Sequence, residues 1–311
     1  MNDAVNKLLE EQLTQWSLAG NNYHALAQVR TKTFRVGGGT YNVQFNPARM
    51  ASSAAKVDAR SIQERKCFLC SSNRPPVQEG IPFKAHYQVL INPFPIFPRH
   101  FTIPDVEHVD QRIRFRIADM LDLAQTLDRY VVFYNGPRCG ASAPDHMHFQ
   151  AGSKGFLPIE TAWKKHQATE IVRHRQASLS YLEDEPRATL IIEASDRHDA
   201  LHLFATVYEA MELKPDNDEP MMNVLAWFEQ NRWVVCIFPR EKHRPTCYSA
   251  EGDDNLLISP AAVDLGGVFI TPLEKDFDKI TAADLHIILN EVCLSAEKFH
   301  NLKQRIAAII T

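Results

Sequence analysis

Asp145-His146-Met147-His148-Phe149-Gln150 is the stretch whose reading decides the fold. Two imidazoles and a carboxamide recur with period two, so on a β-strand all three share one face. Such a face makes a poor core, because each buried polar group needs a partner of its own. It makes a good place to hold a phosphate and attack it. Outward on the N-terminal side, residues 131–134 (Val-Val-Phe-Tyr) read as a buried strand. Asn135-Gly136-Pro137-Arg138-Cys139-Gly140-Ala141-Ser142 reads as a small-residue turn that delivers the chain to the histidine pair. A pair of satisfied core histidines is the plainer reading, but it suits an isolated histidine better than His-x-His-x-Gln behind a glycine turn.

Further out, residues 2–18 carry apolar positions at helical spacing, and 31–35 with 41–45 flank Gly37-Gly38-Gly39 as a hairpin. A loop rich in Ala and Ser leads to Cys67-Phe68-Leu69-Cys70, and 87–91 and 100–103 read as strands. An amphipathic helix is expected over 109–128 and a polar helix over about 160–176. Beyond a charged, proline-containing join at 181–186, strand and helix order repeats without repeating the residues. A strand is expected at 188–193, a helix at 197–212, a hairpin across Gln230-Asn231, a short strand at 267–271 and a long closing helix at 281–309. This order suggests a duplication whose second half lost the histidine motif.

Apolar residues make up 45% of the 311-residue chain and charged residues 23%, the balance of a soluble globular protein. A formal charge of −4 argues against nucleic acid as the main partner, yet leaves small anionic ligands open. No apolar run approaches ~20 residues, so no membrane span is expected. The polar N-terminus is unlike a signal peptide, which points to a cytoplasmic protein whose six cysteines are thiols or metal ligands. Cys67 and Cys70 form the close pair, readable as buried thiols, a redox pair or half a metal site.

Asn135…Gly140-Ala141-Ser142…His146-x-His148-x-Gln150 resembles the histidine-triad superfamily, in the branch with Gln at the last position. That branch holds galactose-1-phosphate uridylyltransferase, diadenosine tetraphosphate phosphorylase and the GDP-hexose phosphorylases. The run 146–151 followed by Leu157-Pro158-Ile159-Glu160 is most similar to the last of these. Asn46-Pro47-Ala48-Arg49…Cys67-Phe68-Leu69-Cys70 is more similar to the uridylyltransferases, and the chain as a whole resembles a bacterial group of the superfamily. The resemblance implies an α+β fold of two histidine-triad-like halves, with antiparallel sheets and helices packed mainly on one face. Residues 1–180 would form the catalytic half and 187–311 a degenerate one.

The resemblance also implies roles. His148 would be the nucleophile, attacking the α-phosphorus of a nucleotide to form a nucleotidyl-histidine. Gln150 would donate to the phosphoryl oxygens, and its presence where related hydrolases carry His favours transfer over hydrolysis. Asn135, Gly140 and Ser142 would meet the phosphate side of the substrate. Arg138 and Lys154 are candidate phosphate contacts, and Arg240 and Lys242 a basic clamp reaching over from the second half. Cys67, Cys70, His108 and His146 correspond to a structural zinc site, with His100 competing for the place of His108. The expected partners are a nucleotide or nucleotide-sugar substrate with phosphate or a sugar phosphate as acceptor. A hydrolase of the same fold and a nucleotide binder without turnover are the rival readings. Base, sugar and oligomeric state are open.

Overall fold

The computed structural model describes residues 1–50, 54, 55, 57–165 and 168–310. Part of the Ala/Ser-rich loop, residues 51–53 and 56, lies outside the described residues. Two strands, β1 (Arg30–Val36) and β2 (Gly39–Phe45), form the hairpin expected around the glycines, with Gly37 at φ +57°. β13 (Val268–Thr271), far along the chain, pairs parallel to β2 and completes a three-stranded sheet.

The first half contributes β3 (Gly80–Phe83), β4 (Tyr87–Ile91), β5 (His100–Pro104), β6 (Tyr130–Asn135) and β7 (His148–Ser153) to a second, larger sheet. The second half contributes β8 (Ala168–His174), β9 (Ala177–Leu182), β10 (Leu190–Ala194), β11 (Met222–Glu229) and β12 (Arg232–Pro239). These ten strands form one sheet in the order β3-β4-β5-β7-β6-β11-β12-β10-β9-β8. The two halves meet where β6 pairs antiparallel with β11. Counted inward from its own edge, each five-strand block has its fourth and fifth strands exchanged. Each block also inserts a helix between its third and fourth strands, Ile117–Thr126 in one and Arg197–Ala210 in the other. The molecule is thus an α+β fold built on an internal repeat. By topology the counterpart of β7 is β12, which reads Arg-Trp-Val-Val-Cys-Ile-Phe-Pro and carries neither His nor Gln.

Several boundaries differ from the sequence reading. The helix expected over 109–128 forms only at Ile117–Thr126. Its upstream part is held irregular by pairing with other elements: Met147 N donates to Val109 O, and Ile113 N donates to the Glu219 carboxylate. The polar helix expected at 160–176 is a short turn, Ile159–Ala162, followed by β8; residues 166 and 167 lie outside the described residues. β-branched Thr169, Ile171 and Val172 favour the strand, and Arg175 at φ +52° turns the chain into β9. The join expected at 181–186 therefore follows a hairpin that lies beside β10. The closing helix breaks into Ala282–Val292 and Ala296–Ile310. At the break Val292 O accepts from Glu241 N and Leu294 N donates to Pro239 O, so the helix yields these groups to the end of β12.

The faces of the large sheet differ. Phe149 lies 5.7 Å from the Tyr87 ring, and the Tyr87 hydroxyl donates to Asp119 of the helix Ile117–Thr126. Odd positions of β7 therefore face the helices and the core, and His148 and Gln150 face away from them. Among the described residues no helix is long and apolar enough to cross a membrane.

Candidate active site

β7 sits between β5 and β6, and its first residue is His148. There the ladder needs help. The β5 partner of His148 is Pro104, which has no N–H, and pairing with β6 reaches only Phe133 opposite Gln150. Gln111 supplies the missing partners. Its Oε1 accepts from His148 N at 2.7 Å, and its Nε2 donates to His148 O and Asn135 O, each at 3.0 Å. This buried side chain, from the segment expected to be helical, fixes the backbone of His148 and the end of β6 together.

His148 is buried, and its Nδ1 lies 2.8 Å from His146 O. A carbonyl only accepts, so Nδ1 carries the proton and the Nε2 lone pair is free to face the pocket. Burial, outweighing the bond to His146 O, pushes the ring's pKa down to about 4. Gln150 Oε1 lies 3.1 Å from His100 Nε2 and 3.4 Å from Asn92 Nδ2. Asn135 Oδ1 accepts from Asn223 Nδ2 at 2.9 Å and Ala262 N at 2.8 Å, while its Nδ2 has no protein partner among the described residues. Gly140 has φ +92°, and a Cβ there would stand 2.6 Å from Ala261 Cβ, so the turn must be glycine to lie against the second half.

These groups line a pocket of about 830 Å³. It gathers His148, Gln150, Asn135, Gly140 and Ser142 from the predicted set. It does not gather the four predicted cations. Arg138 is exposed and donates to Asp216 O. Lys154 lies at the far end of β7, where its ammonium is bonded to Asp128 O and Phe228 O. Lys242 pairs with Glu291 and Thr246. Arg240 is 1% exposed and spends all five N–H donors inside the protein, on Val292 O, Asn223 Oδ1 and the carbonyls of Pro260, Lys242 and His243. It holds the pocket wall instead of a ligand. The arginines that do line the pocket are Arg49, Arg65 and Arg244. Arg244 and the adjacent His243 come from the second half; sequence marks the basic cluster but not which members turn inward.

His146 precedes the strand, in a bend, and faces away from the pocket lining to a separate cluster. One ligand atom from each of Cys67, Cys70, His108 and His146 lies within 4.8 Å of all the others. His146 Nδ1 is 3.3 Å from Cys67 Sγ, and His108 Nδ1 is 3.2 Å from Cys70 Sγ. Burial raises the Cys67 thiol, but bonds from His146 and nearby backbone outweigh it and bring the pKa down to about 6. Two thiolates and two imidazoles at this spacing fit a tetrahedral zinc ion, and His146 Nε2 donates to Asp105 O as a metal-bound imidazole usually does. His108 completes the set; His100 is bound to Gln150 and takes no part in it.

Residues 8–153 match the family model described as domain of unknown function DUF4922, and residues 159–311 match the GDPGP1-like C-terminal domain. Diadenosine 5′,5‴-P1,P4-tetraphosphate phosphorylase 2 of Saccharomyces cerevisiae is 32% identical over a 139-residue alignment that covers 39% of this chain. The match spans only 41% of that relative's length. The crystal structure of the yeast Ap4A phosphorylase in complex with Ap4A superposes with TM-score 0.60 at 17% identity, over 89% of this chain and 96% of that one. The same yeast enzyme in complex with AMP gives 0.57 at 18%, over 91% and 97%. These structural likenesses establish a shared fold across nearly the whole chain.

Proposed function

Since the chain belongs to the histidine-triad superfamily, in the branch of the Ap4A phosphorylases and galactose-1-phosphate uridylyltransferases, we propose that it is a nucleotidyltransferase acting through His148. The observation that carries the reading is the 2.8 Å contact of His148 Nδ1 with His146 O, which leaves Nε2 unprotonated toward the pocket. Nε2 attacks the α-phosphorus; the P–N bond forms as the P–O bond to the leaving group breaks, and that oxygen keeps the electron pair. An acceptor phosphate then attacks the same phosphorus and expels His148. Gln150 Nε2, Ser142 and Asn135 Nδ2 donate to the phosphoryl oxygens as charge develops. The three pocket arginines balance the remaining phosphates.

The substrate class is a dinucleoside polyphosphate or a nucleoside-diphosphate sugar, with inorganic phosphate as acceptor. The yeast relative, named for diadenosine tetraphosphate, supports the first. Zinc held by Cys67, Cys70, His108 and His146 supplies structure, bracing the residue whose carbonyl orients His148.

The test is to incubate the protein with labelled diadenosine tetraphosphate and with GDP-, UDP- and ADP-sugars, with and without phosphate. An acid-labile, base-stable nucleotidyl adduct that is discharged by phosphate is expected. An adduct that persists in His148→Ala would remove His148 from its role; turnover by water alone would favour the hydrolase, and binding without any adduct the non-catalytic reading.

A further inference from the structure

We propose that His100 is a positioning residue: it holds the Gln150 carboxamide so that its NH2 group, and not its oxygen, faces the pocket. His100 is fully buried at the start of β5, one strand away from Gln150. Its Nδ1 lies 3.1 Å from Ile96 N. A backbone N–H can only donate, so Nδ1 is the bare nitrogen and the proton of the neutral ring sits on Nε2. Nε2–H therefore donates to Gln150 Oε1 at 3.1 Å.

The second neighbour acts in the same sense. Asn92 Nδ2 lies 3.4 Å from the same oxygen and 3.0 Å from Thr102 Oγ1, while Asn92 Oδ1 accepts from Phe94 N at 2.9 Å. The Asn92 amide is thus fixed, with its nitrogen toward Gln150. A flipped Gln150 amide would set an N–H against two donors and leave them unmatched in a buried place. Only one orientation satisfies every group, and in it both N–H bonds of Gln150 Nε2 are free of protein partners among the described residues.

Aromatic rings hem the imidazole in: Phe97 lies T-shaped to it at 5.3 Å between centroids and Phe133 tilted to it at 5.7 Å. Burial and the nearby Arg49 charge keep it neutral, in line with the geometry. A carboxamide oxygen aimed at a phosphate would repel it; the nitrogen attracts it. His100 thus decides the sign of what Gln150 offers, from a position that touches no substrate. The chain uses two buried imidazoles in opposite tautomers: Nδ1–H at His148 to free a lone pair, Nε2–H at His100 to direct a donor.

This inference rests on the proposed function only where Gln150 meets a phosphoryl oxygen, so the experiment has one arm without activity. Nitrogen-15 NMR of histidine-labelled wild-type protein is expected to show the Nε2–H tautomer at His100; an Nδ1–H ring there overturns the proposal. The kinetic arm uses diadenosine tetraphosphate with inorganic phosphate. His100→Leu should lower kcat about tenfold or more with KM little changed, less than the ~10²–10³ expected for losing the donor outright. His100→Gln, whose amide nitrogen reaches near the Nε2 position, should recover most of the rate. Adding His100→Leu to Gln150→Ala should cost nothing further, because the first acts through the second. Losses that multiply in the double variant, or a fully active His100→Leu, overturn the positioning role. If His100→Leu does not fold, the wild-type tautomer decides. If diadenosine tetraphosphate is not turned over, the proposed function with that substrate fails while the tautomer still decides His100.

Discussion

Replacing Arg240 separates a brace from a clamp. Its guanidinium is buried with all five donors engaged: Nε to Val292 O at 3.0 Å, Nη1 to Asn223 Oδ1 at 2.5 Å and Pro260 O at 2.9 Å, Nη2 to Lys242 O at 3.1 Å and His243 O at 2.9 Å. Arg240→Met keeps much of the volume but orphans four acceptors, since Val292 O keeps its bond from Glu241 N. Each orphaned buried acceptor costs ~1–3 kcal/mol, and carbonyls that shift or gain water recover part of that. With four unmet acceptors, partly relieved in this way, the net loss expected is roughly 3–5 kcal/mol. Lys242→Met is the control. Its side chain is 40% exposed and its Glu291 partner 26%, so the pair is worth ~0–1 kcal/mol before screening is considered. Urea denaturation with the slope checked for constancy measures both. Arg240 also positions Asn223, which donates to Asn135 Oδ1, so the Met variant should lose adduct formation as well as stability. An Arg240→Met protein with an unchanged midpoint and only a raised KM would refute the brace and restore the clamp.

Elemental analysis of protein purified without added metal should find about one zinc per chain, lost together with thermal stability in Cys67→Ser; a folded, metal-free wild type would sink the site. Gly140→Ala forces a side chain to φ +92° against Ala261 and should cost at least ~1–3 kcal/mol of unfolding free energy, so an unchanged denaturation midpoint would contradict the packing. Burial, reinforced by the Arg49 charge, pushes the His100 pKa down to about 3. The unfolded chain, with a pKa near ~6.5, binds the extra proton first, so the stability His100 contributes is complete above that pH and lost as pH falls toward about 3. Between pH ~6.5 and ~5 this amounts to ~1–2 kcal/mol. The difference between wild type and His100→Gln should narrow by that much, and parallel curves would contradict it.

The pocket strand was legible because it breaks a local rule. A strand that spends His148 and Gln150 on one face cannot be explained as core, and both do line the pocket. The Cys/His cluster that could hold a metal was legible from residue types and a family resemblance, since its four residues come from three separate stretches. Periodicity failed where distant partners override it. Residues 109–116 have a helical pattern, yet their backbone and Gln111 are claimed by the histidine strand. The helix expected at 160–176 gave way to β-branched residues that add an edge strand, β8, to β9. The cations were hardest: Arg240 and Arg244 are four residues apart in one basic run, and only the folded loop shows that the first is sealed in carbonyls and the second turned toward the pocket. Gln111 and Asn223 carry no sequence signal, and His100 stands out only as a rival metal ligand, because their roles consist of long-range hydrogen bonds.

The ten-stranded sheet shared by both halves, and the smaller sheet with its parallel β2–β13 seam, also bear on how the chain is made. The histidine strand is synthesised well before β11, Ala262 and β13, yet Asn135 is held by Asn223 and Ala262, and β2 waits for its neighbour from residues 268–271. A ribosome-bound first half would thus carry an open sheet edge at β6 and an unfinished pocket. Competence to bind nucleotide should arrive late and all at once, when the last third of the chain docks, so that no partly made protein presents the proposed nucleophile in working order.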